Sequence, residues 1–467
     1  MERMEGVDAG YLYLETPTMH MHTLKLALIE PPGALDFAAF TDQLLGRLDR
    51  LPPFRRRILP VPGRLNHPLW ISDRDVDPDR HVFHHRLPDP AGMAELEALV
   101  GQIASTPLAR DVPLWEVHVC EALADGRVAV VGKMHHAIAD GAASNALLAN
   151  LTDAVAPVPG TAVPVSPEPV PPGWRQVWLG LRDAVVQLFT LPALLGRTAT
   201  AVLRVRRRER ERVSVVPRPV LDVPRVSFNG ALTAERTFAT ASLPLAEIKE
   251  VRRRHGVSVN DVVLGVVGGA LRSWLEDRGE LPERALVAGV PVSTDAPGSG
   301  PRLGGNRVSN LFTSLATDVE DPHARLHQIS RTTSASKVVQ QTLGPRMLID
   351  WVQFAPPAPL SAAMNLYSRS RAASHHPAAQ NLVVSNVPGP REHVTIGGTR
   401  LDDLFSVGPI LEGTGLNITA WSYVDRMNFS LLGCPALVDD LASLAARLRP
   451  ALDELLTLEV ETICQQT

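Results

Sequence analysis

Nine residues, Lys133-Met134-His135-His136-Ala137-Ile138-Ala139-Asp140-Gly141, constrain this chain more than any other stretch. They follow Val128 to Val131, an apolar run that reads as a buried strand, and precede Ala142 to Leu151, which reads as a helix. The two histidines therefore sit where a strand ends and the chain turns. Neighbouring residues on an extended strand point to opposite faces, so His135 and His136 cannot both face one pocket from regular β geometry. One imidazole is available for chemistry and the other for packing. Asp140-Gly141 supplies the turn, because Asp bonds its own backbone and Gly tolerates positive φ.

The rest of the chain narrows the classes of protein that could carry this stretch. A length of 467 residues suggests two domains of roughly 200 residues plus a connector. A net charge of −4 gives no overall polyanion-binding surface, so nucleic acid is not an expected partner. Cys120, Cys434 and Cys464 lie far apart, with neither a disulfide framework nor zinc-ligand spacing, which fits a reducing, cytoplasmic setting. The first residues, Met1 to Gly6, carry acidic side chains and no apolar core of signal-peptide type. No His-Glu-x-x-His, Gly-x-Ser-x-Gly or Walker pattern occurs, so no metal site and no hydrolase elbow is expected.

Composition divides the chain into three parts. Residues 1–155 alternate apolar strands with amphipathic helices, among them a strand His22 to Ile29 and helices Asp36 to Leu48 and Met93 to Ala104. Residues 156–219 form a connector. It opens on a Pro-, Val- and Ala-rich linker and continues as a helix from about Trp174 to Arg212, with an apolar side at Trp178, Leu181, Val185, Leu188 and Phe189 and a basic end at Arg204 to Arg212. Charged residues interrupt it, so it lacks the roughly 18 uninterrupted apolar residues of a membrane span. It reads instead either as a packed helix with a solvated tail or as an amphipathic helix lying on an anionic membrane surface. Residues 220–467 form the second half, in which Asn260 or Asp261 can cap a long apolar helix through Trp274. A Gly/Pro-rich loop runs from Pro297 to Gly305, followed by a strand reading from Asn306 to Ala316.

The pattern His-His-x-x-x-Asp-Gly between a strand and a helix resembles the acyl-CoA-dependent acyltransferases of the chloramphenicol-acetyltransferase-like fold. Pro113-Leu114-Trp115-Glu116, Val259-Asn260-Asp261-Val262-Val263, Ser385-Asn386-Val387-Pro388-Gly389-Pro390 and the opening Val7-Asp8-Ala9-Gly10-Tyr11 are similar to motifs of the bacterial wax ester synthase/diacylglycerol acyltransferases. The resemblance implies an α/β fold of two such domains with the active site in a tunnel between them. It implies transfer of a long acyl group from acyl-CoA, as co-substrate and with no cofactor, to the hydroxyl of diacylglycerol or of a long-chain alcohol. It also implies that His136 is the base, that His135 and Gly141 serve packing and turn, and that Asp140 holds the turn through an ion pair with an Arg. Asn260, Asp261, Trp115, Ser385 and Asn386 are expected along the substrate site.

This chemistry suits the residues. Imidazole, with a reference pKa of about 6.5, can take the hydroxyl proton near neutral pH. A CoA thiolate, like a Cys thiol of pKa about 8.5, leaves with little acid help. No Ser or Cys nucleophile is required. Greasy substrates make peripheral contact with a membrane face or lipid droplet a further expectation. Two rivals remain, an acyltransferase of condensation type that draws on a carrier protein and a lipid-binding relative without turnover.

Overall fold

In a computed structural model the chain is described at residues 1–30, 37–72, 76–121, 123–153, 168–211, 216–296, 298–343, 347–396 and 398–457, apart from the side chains at 202, 204–211, 343 and 348–349. Two six-stranded sheets organise it. The first runs Thr395–Ile396, Thr399–Val407, His22–Ile29, Val128–His135, Trp115–Glu121, Val82–Arg86. The second runs Val308–Ser314, Val287–Ser293, Leu382–Val387, Leu416–Tyr423, Arg426–Gly433, Thr237–Pro244. A small three-stranded sheet, with strands Glu2–Arg3, Leu69–Ser72 and Arg56–Leu59, flanks the first half.

The histidine strand extends four residues further than its apolar run, to His135, because it is paired on both sides. His22 faces His135 on one neighbour, and Trp115 faces Met134 on the other. Strands paired on both edges and covered on both faces can be apolar throughout, and Val128 to Val131 are all buried.

Sheet membership does not follow the chain's division near residues 156–219. The strand Thr399–Val407 belongs by sequence to the second half, yet it pairs antiparallel with His22–Ile29 and extends the first sheet. This strand carries Asp402-Asp403, and that polar pair masks its strand character in the sequence. In the structure, the buried Asp403 carboxylate is met by Asn428 Nδ2 at 2.7 Å and by the Arg426 guanidinium, which makes the burial tolerable. On the other side, the helix Met93–Ser105 of the first half packs on the strand Thr237–Pro244 of the second. Glu97 Oε1 accepts from the Thr240 backbone N–H at 2.8 Å, and a Cβ on Gly101 would lie 2.8 Å from the Arg236 carbonyl.

The long apolar helix is Val259–Asp277, and its cap is neither Asn260 nor Asp261. Ser258 takes the N-cap, accepting from the Asp261 N–H at 3.1 Å, while Asp261 Oδ2 accepts from the Ser258 N–H at 2.9 Å. The helix simply begins one residue earlier, and a Ser with an acidic residue three positions on satisfies two end donors reciprocally.

The connector helix spans Gly173–Glu211 as a single element with Pro192 inside. The linker residues 156–167 and the side chains of the basic end from Arg204 to Arg212 lie outside the described residues. Contrary to the expectation from interrupting charges, an 18-residue window within Gly173–Ala201 has a mean hydropathy of 1.3, and the helix is long and apolar enough, by length and composition alone, to cross a membrane. The charges cluster near its start, and residues 184–201 carry only Arg197. Side-chain contacts describe its placement better. Asp183 pairs with Arg3 at 2.7 Å, Thr198 Oγ1 accepts from Trp351 Nε1 at 3.0 Å, and the Gly180 carbonyl accepts from Asn66 Nδ2 at 2.9 Å. The side bearing these groups lies on the body, whereas Trp174 (73% exposed), Trp178, Leu181, Val185, Leu188 and Phe189 (81% exposed) face outward. The helix is thus apolar on its outer side.

Candidate active site

The chain leaves the histidine strand at His135 and turns over residues 136–138. His136 N donates to the Met21 carbonyl at 2.7 Å and Ile138 N to the His135 carbonyl at 3.0 Å, which closes the turn. The two imidazoles part as strand alternation requires. His135 is fully buried, with Nδ1 accepting from the Ala137 N–H at 3.0 Å and Nε2 3.4 Å from the Glu15 carboxylate, which also pairs with Arg110. Burial holds it neutral, well below the usual histidine range. It is a packing residue.

His136 is only partly covered. Its ring stacks on Tyr11, with centroids 4.2 Å apart and planes 16° apart. Nδ1 lies 3.0 Å from Asn306 Oδ1, and among the described residues no hydrogen bond reaches Nε2. Burial lowers its pKa below the ordinary 6.5, with Lys25 adding to the effect while a hydrogen bond to its own backbone, Asp140 and the Asn306 hydrogen bond oppose it.

Asp140 caps the helix Gly141–Leu151, accepting from the Ala143 N–H at 3.0 Å. Its other oxygen accepts from the Arg307 backbone N–H at 2.9 Å and pairs with the Arg302 guanidinium. Arg302 is therefore the partner that the sequence left unspecified. It also reaches Asp295 at 3.2 Å and the Gly304 carbonyl at 3.1 Å. Main-chain bonds reinforce this contact between halves, for Gly305 N donates to the Ile138 carbonyl at 2.7 Å. Gly305 holds φ at +77°, a conformation that favours glycine.

The segment Ser385-Asn386-Val387-Pro388-Gly389-Pro390 docks on the same helix start. Asn145 Nδ2 donates to the Pro388 carbonyl at 2.8 Å, and a Cβ on Gly141 would lie 3.1 Å from Val387 Cγ2. A Cβ on Gly389 would fall 2.2 Å from both the Ser422 carbonyl oxygen and Trp421 Nε1. This segment joins the second half to the start of a first-half helix. Ser385 and Asn386 themselves are partly buried within the strand Leu382–Val387, in register with Thr419 and Ala420.

Two cavities flank His136 along the chain, with Met134 lining one and Ile138 and Asn306 lining the other. One, with about 850 Å³ of empty space, is apolar and is lined by Phe40, Leu44, Trp115, Val130, Met134 and Leu147. Trp115 forms its wall as expected, fixed by Nε1 donating to the Phe54 carbonyl at 2.8 Å and by stacking on Phe54 and His81. Lys25 also lines it, 4.2 Å above the Trp421 ring and 3.0 Å from Ser406 Oγ, with its pKa lowered to about 7 by burial. The other cavity, of about 1010 Å³, is polar and is lined by Asp8, Arg56, Arg302, Asn306 and Arg307 among others. Asn260 and Asp261 are not among the residues lining either of these two cavities. Asp261 is buried at the third helical position, bonded to the Ser258 cap and accepting from Ser330 Oγ at 3.1 Å, and Asn260 is half-buried in the first helical turn.

The profile described as "Wax ester synthase/diacylglycerol acyltransferase catalytic domain" matches residues 4–263, and that of the "WS/DGAT C-terminal domain" matches residues 304–456. The chain belongs to the wax ester synthase/diacylglycerol acyltransferase family. A Mycobacterium tuberculosis protein provisionally named a diacylglycerol O-acyltransferase is 39% identical over 444 residues, covering 94% of this chain and 92% of its own. A second protein of that organism, with the same provisional name, is 37% identical over 470 residues, covering 98% and 97%. Among solved structures, the wax ester synthase/diacylglycerol acyltransferase from Marinobacter aquaeolei VT8 superposes with a TM-score of 0.68 at 27% identity over 97% of this chain and 98% of that one. The first condensation domain of the CDA synthetase shares the fold, with a TM-score of 0.58 at 16% identity over 98% and 96%.

Family membership accounts for the motifs, while Asn306 reaches the histidine, and Asp8 reaches Asn306, without either having been singled out as a site residue. Asn306 reads as the start of a strand, and only its nearness to the Gly-rich loop hinted at a special position. The Asp140–Arg302 pair yields a test. Removing one partner of a buried pair costs roughly 3 to 5 kcal/mol. Asp140→Ala and Arg302→Ala should each lower the melting temperature markedly, and the double variant should lose less than the sum of the two. An inactive Asp140→Ala protein that melts like wild type would instead give the carboxylate a direct catalytic part.

Proposed function

We propose that this family member transfers a long acyl group from acyl-CoA to a lipid hydroxyl, that of diacylglycerol or a long-chain alcohol, with His136 as general base and with no acyl-enzyme. Membership in the family and the homologues' names support the acyltransferase activity itself. The observation that carries the mechanism is an imidazole whose Nδ1 is engaged by Asn306 while Nε2 is left open, on a turn whose neighbours Met134 and Ile138 line an apolar and a polar cavity respectively. A neutral imidazole with an open Nε2 can take the hydroxyl proton as the oxygen attacks the thioester carbonyl. The tetrahedral intermediate then expels the CoA thiolate.

The apolar cavity suits the acyl chain, since each buried methylene contributes about 0.8 kcal/mol. The polar cavity, with Arg56, Arg302 and Arg307 on its wall, suits the CoA end. The outward apolar stripe of the connector helix suits peripheral contact with a lipid surface, because a helix lying in the interface sinks its apolar side among the acyl chains.

Incubation with labelled palmitoyl-CoA and either diolein or hexadecanol, followed by thin-layer separation, identifies the acceptor. His136→Ala should keep its fold and lose about 10² to 10⁴-fold in rate. Because its pKa is lowered and the base works when neutral, the acid limb of kcat/KM should fall with a midpoint below 6.5. Label retained on denatured protein in the absence of acceptor would overturn the direct mechanism.

Gly132 lines the apolar cavity, and a Cβ there would meet only the Lys25 carbonyl, at 4.0 Å. A Gly132→Leu side chain should therefore displace three or four methylenes of substrate, roughly 2 to 3 kcal/mol or about 10²-fold in kcat/KM for long chains. Short-chain acyl-CoA should be turned over nearly as before. Equal losses at all chain lengths would place the acyl chain elsewhere.

Vesicle flotation tests the helix. Trp178→Asp with Phe189→Asp should reduce binding to anionic vesicles at least tenfold, and added salt should weaken wild-type binding if the basic end contributes. Unchanged flotation of the double variant would remove the lipid-contact reading.

A further inference from the structure

The polar contacts around His136 fix which of its nitrogens carries the proton. Asn306 Nδ2 lies 2.8 Å from the His136 carbonyl and 2.8 Å from Asp8 Oδ1. A carbonyl can only accept, so the amide atom facing it must be the NH₂ group, whatever the protonation state of Asp8. Asn306 Oδ1 is then the atom 3.0 Å from His136 Nδ1. An amide oxygen has no proton to give, so Nδ1 bears the hydrogen and Nε2 holds the lone pair.

Each member of the chain is held from outside. Asp8, buried, comes from the helix Gly6–Leu14 of the first half. Asn306, also buried, comes from the second-half loop pinned by Gly305 and by the Arg302 and Arg307 contacts to Asp140. Tyr11, one helical turn after Asp8, stacks on the imidazole face and blocks rotation of the ring. The desolvated Asp8 carboxyl, pushed up to about 7 chiefly by burial, still accepts from the Asn306 amide in either protonation state.

We propose that Asn306, anchored by Asp8, is a positioning residue that locks His136 in the Nδ1–H tautomer and aims its Nε2 lone pair at the acceptor hydroxyl. This rests on the reading of His136 as the base. The histidine is donated by one half and its orienting amide by the other, so the base is correctly protonated only when the two halves are closed. No acid or base strength is borrowed from Asp8. Its part is to hold the amide.

The tautomer can be read without catalysis. Protein labelled with ¹⁵N-histidine gives distinct imidazole nitrogen resonances for protonated and unprotonated nitrogens, and a His136→Gln sample identifies which signals belong to this ring. Wild type should carry hydrogen at Nδ1. Asn306→Leu should shift the ring towards the Nε2–H form or a mixture, with kcat falling about 10 to 100-fold and KM changing less than about threefold. Asn306→Asp keeps an oxygen for Nδ1–H, so the tautomer should persist, the rate should fall less than with Leu, and the acid limb of kcat/KM should move upward as a carboxylate stabilises the imidazolium. If Asn306→Leu does not fold, the wild-type tautomer and the Asn306→Asp profile decide alone. Hydrogen at Nε2 in wild type, or an unshifted acid limb in a folded Asn306→Asp protein, would overturn the lock. A near-wild-type rate for His136→Ala, with the tautomer as described, would overturn the base reading instead.

Discussion

The contact on which the site depends is the buried pair of Asp140 and Arg302. Asp140 belongs to the turn after the histidine strand, and Arg302 to a loop of the other half. A carboxylate taken from water is costly unless its lone pairs are filled, and here a guanidinium and two backbone N–H groups fill them. Neither half can satisfy this carboxylate by itself. Closing the halves is thereby coupled to delivering Asn306, which follows Arg302 by four residues. The pair never touches the reacting atoms in this account, yet it sets where the histidine's partner lies.

The strand Thr399–Val407 makes the same coupling through the sheet. It leaves the second half, extends the first sheet, and brings Ser406 to Lys25 while its neighbour Trp421 lies under the same ammonium. A lysine in an apolar wall is stabilised there only by such contacts, and burial lowers its proton affinity accordingly. The cavity lined by first-half residues is thus completed by Ile396 and Leu404 of the second. A tunnel between halves is consequently not a gap between two finished bodies.

The connector helix reverses the usual arrangement of a surface helix. Its polar contacts, through Asp183, Gly180 and Thr198, face the protein, and its tryptophans and phenylalanine face outward. Hydrophobic burial drives most surface helices to turn the other way. An outward apolar stripe of this length is what the proposed lipid contact rests on, because large apolar patches are rare on proteins that meet only water.

The sequence by itself determined the local chemistry. Strand alternation separated His136 from His135 and the spaced motifs led to the family, whereas Asp140-Gly141, read as a turn, is the N-cap and first residue of a helix, with Gly141 not at positive φ. The first two are readable because each depends on residues a few positions apart, where backbone geometry leaves few choices. Neighbouring residues misled where a boundary shifted by one, as with Ser258 capping the helix credited to Asn260 or Asp261, which line neither cavity. Tertiary structure alone decided that Arg302 pairs with Asp140, that Asn306 and Asp8 orient the histidine, that Thr399–Val407 joins the first sheet, and which side of the connector helix faces out. Each joins residues more than 100 positions apart, or turns on what an element packs against. Nothing in a local pattern encodes which distant donor will reach a buried carboxylate, because that is set by how two halves close on one another.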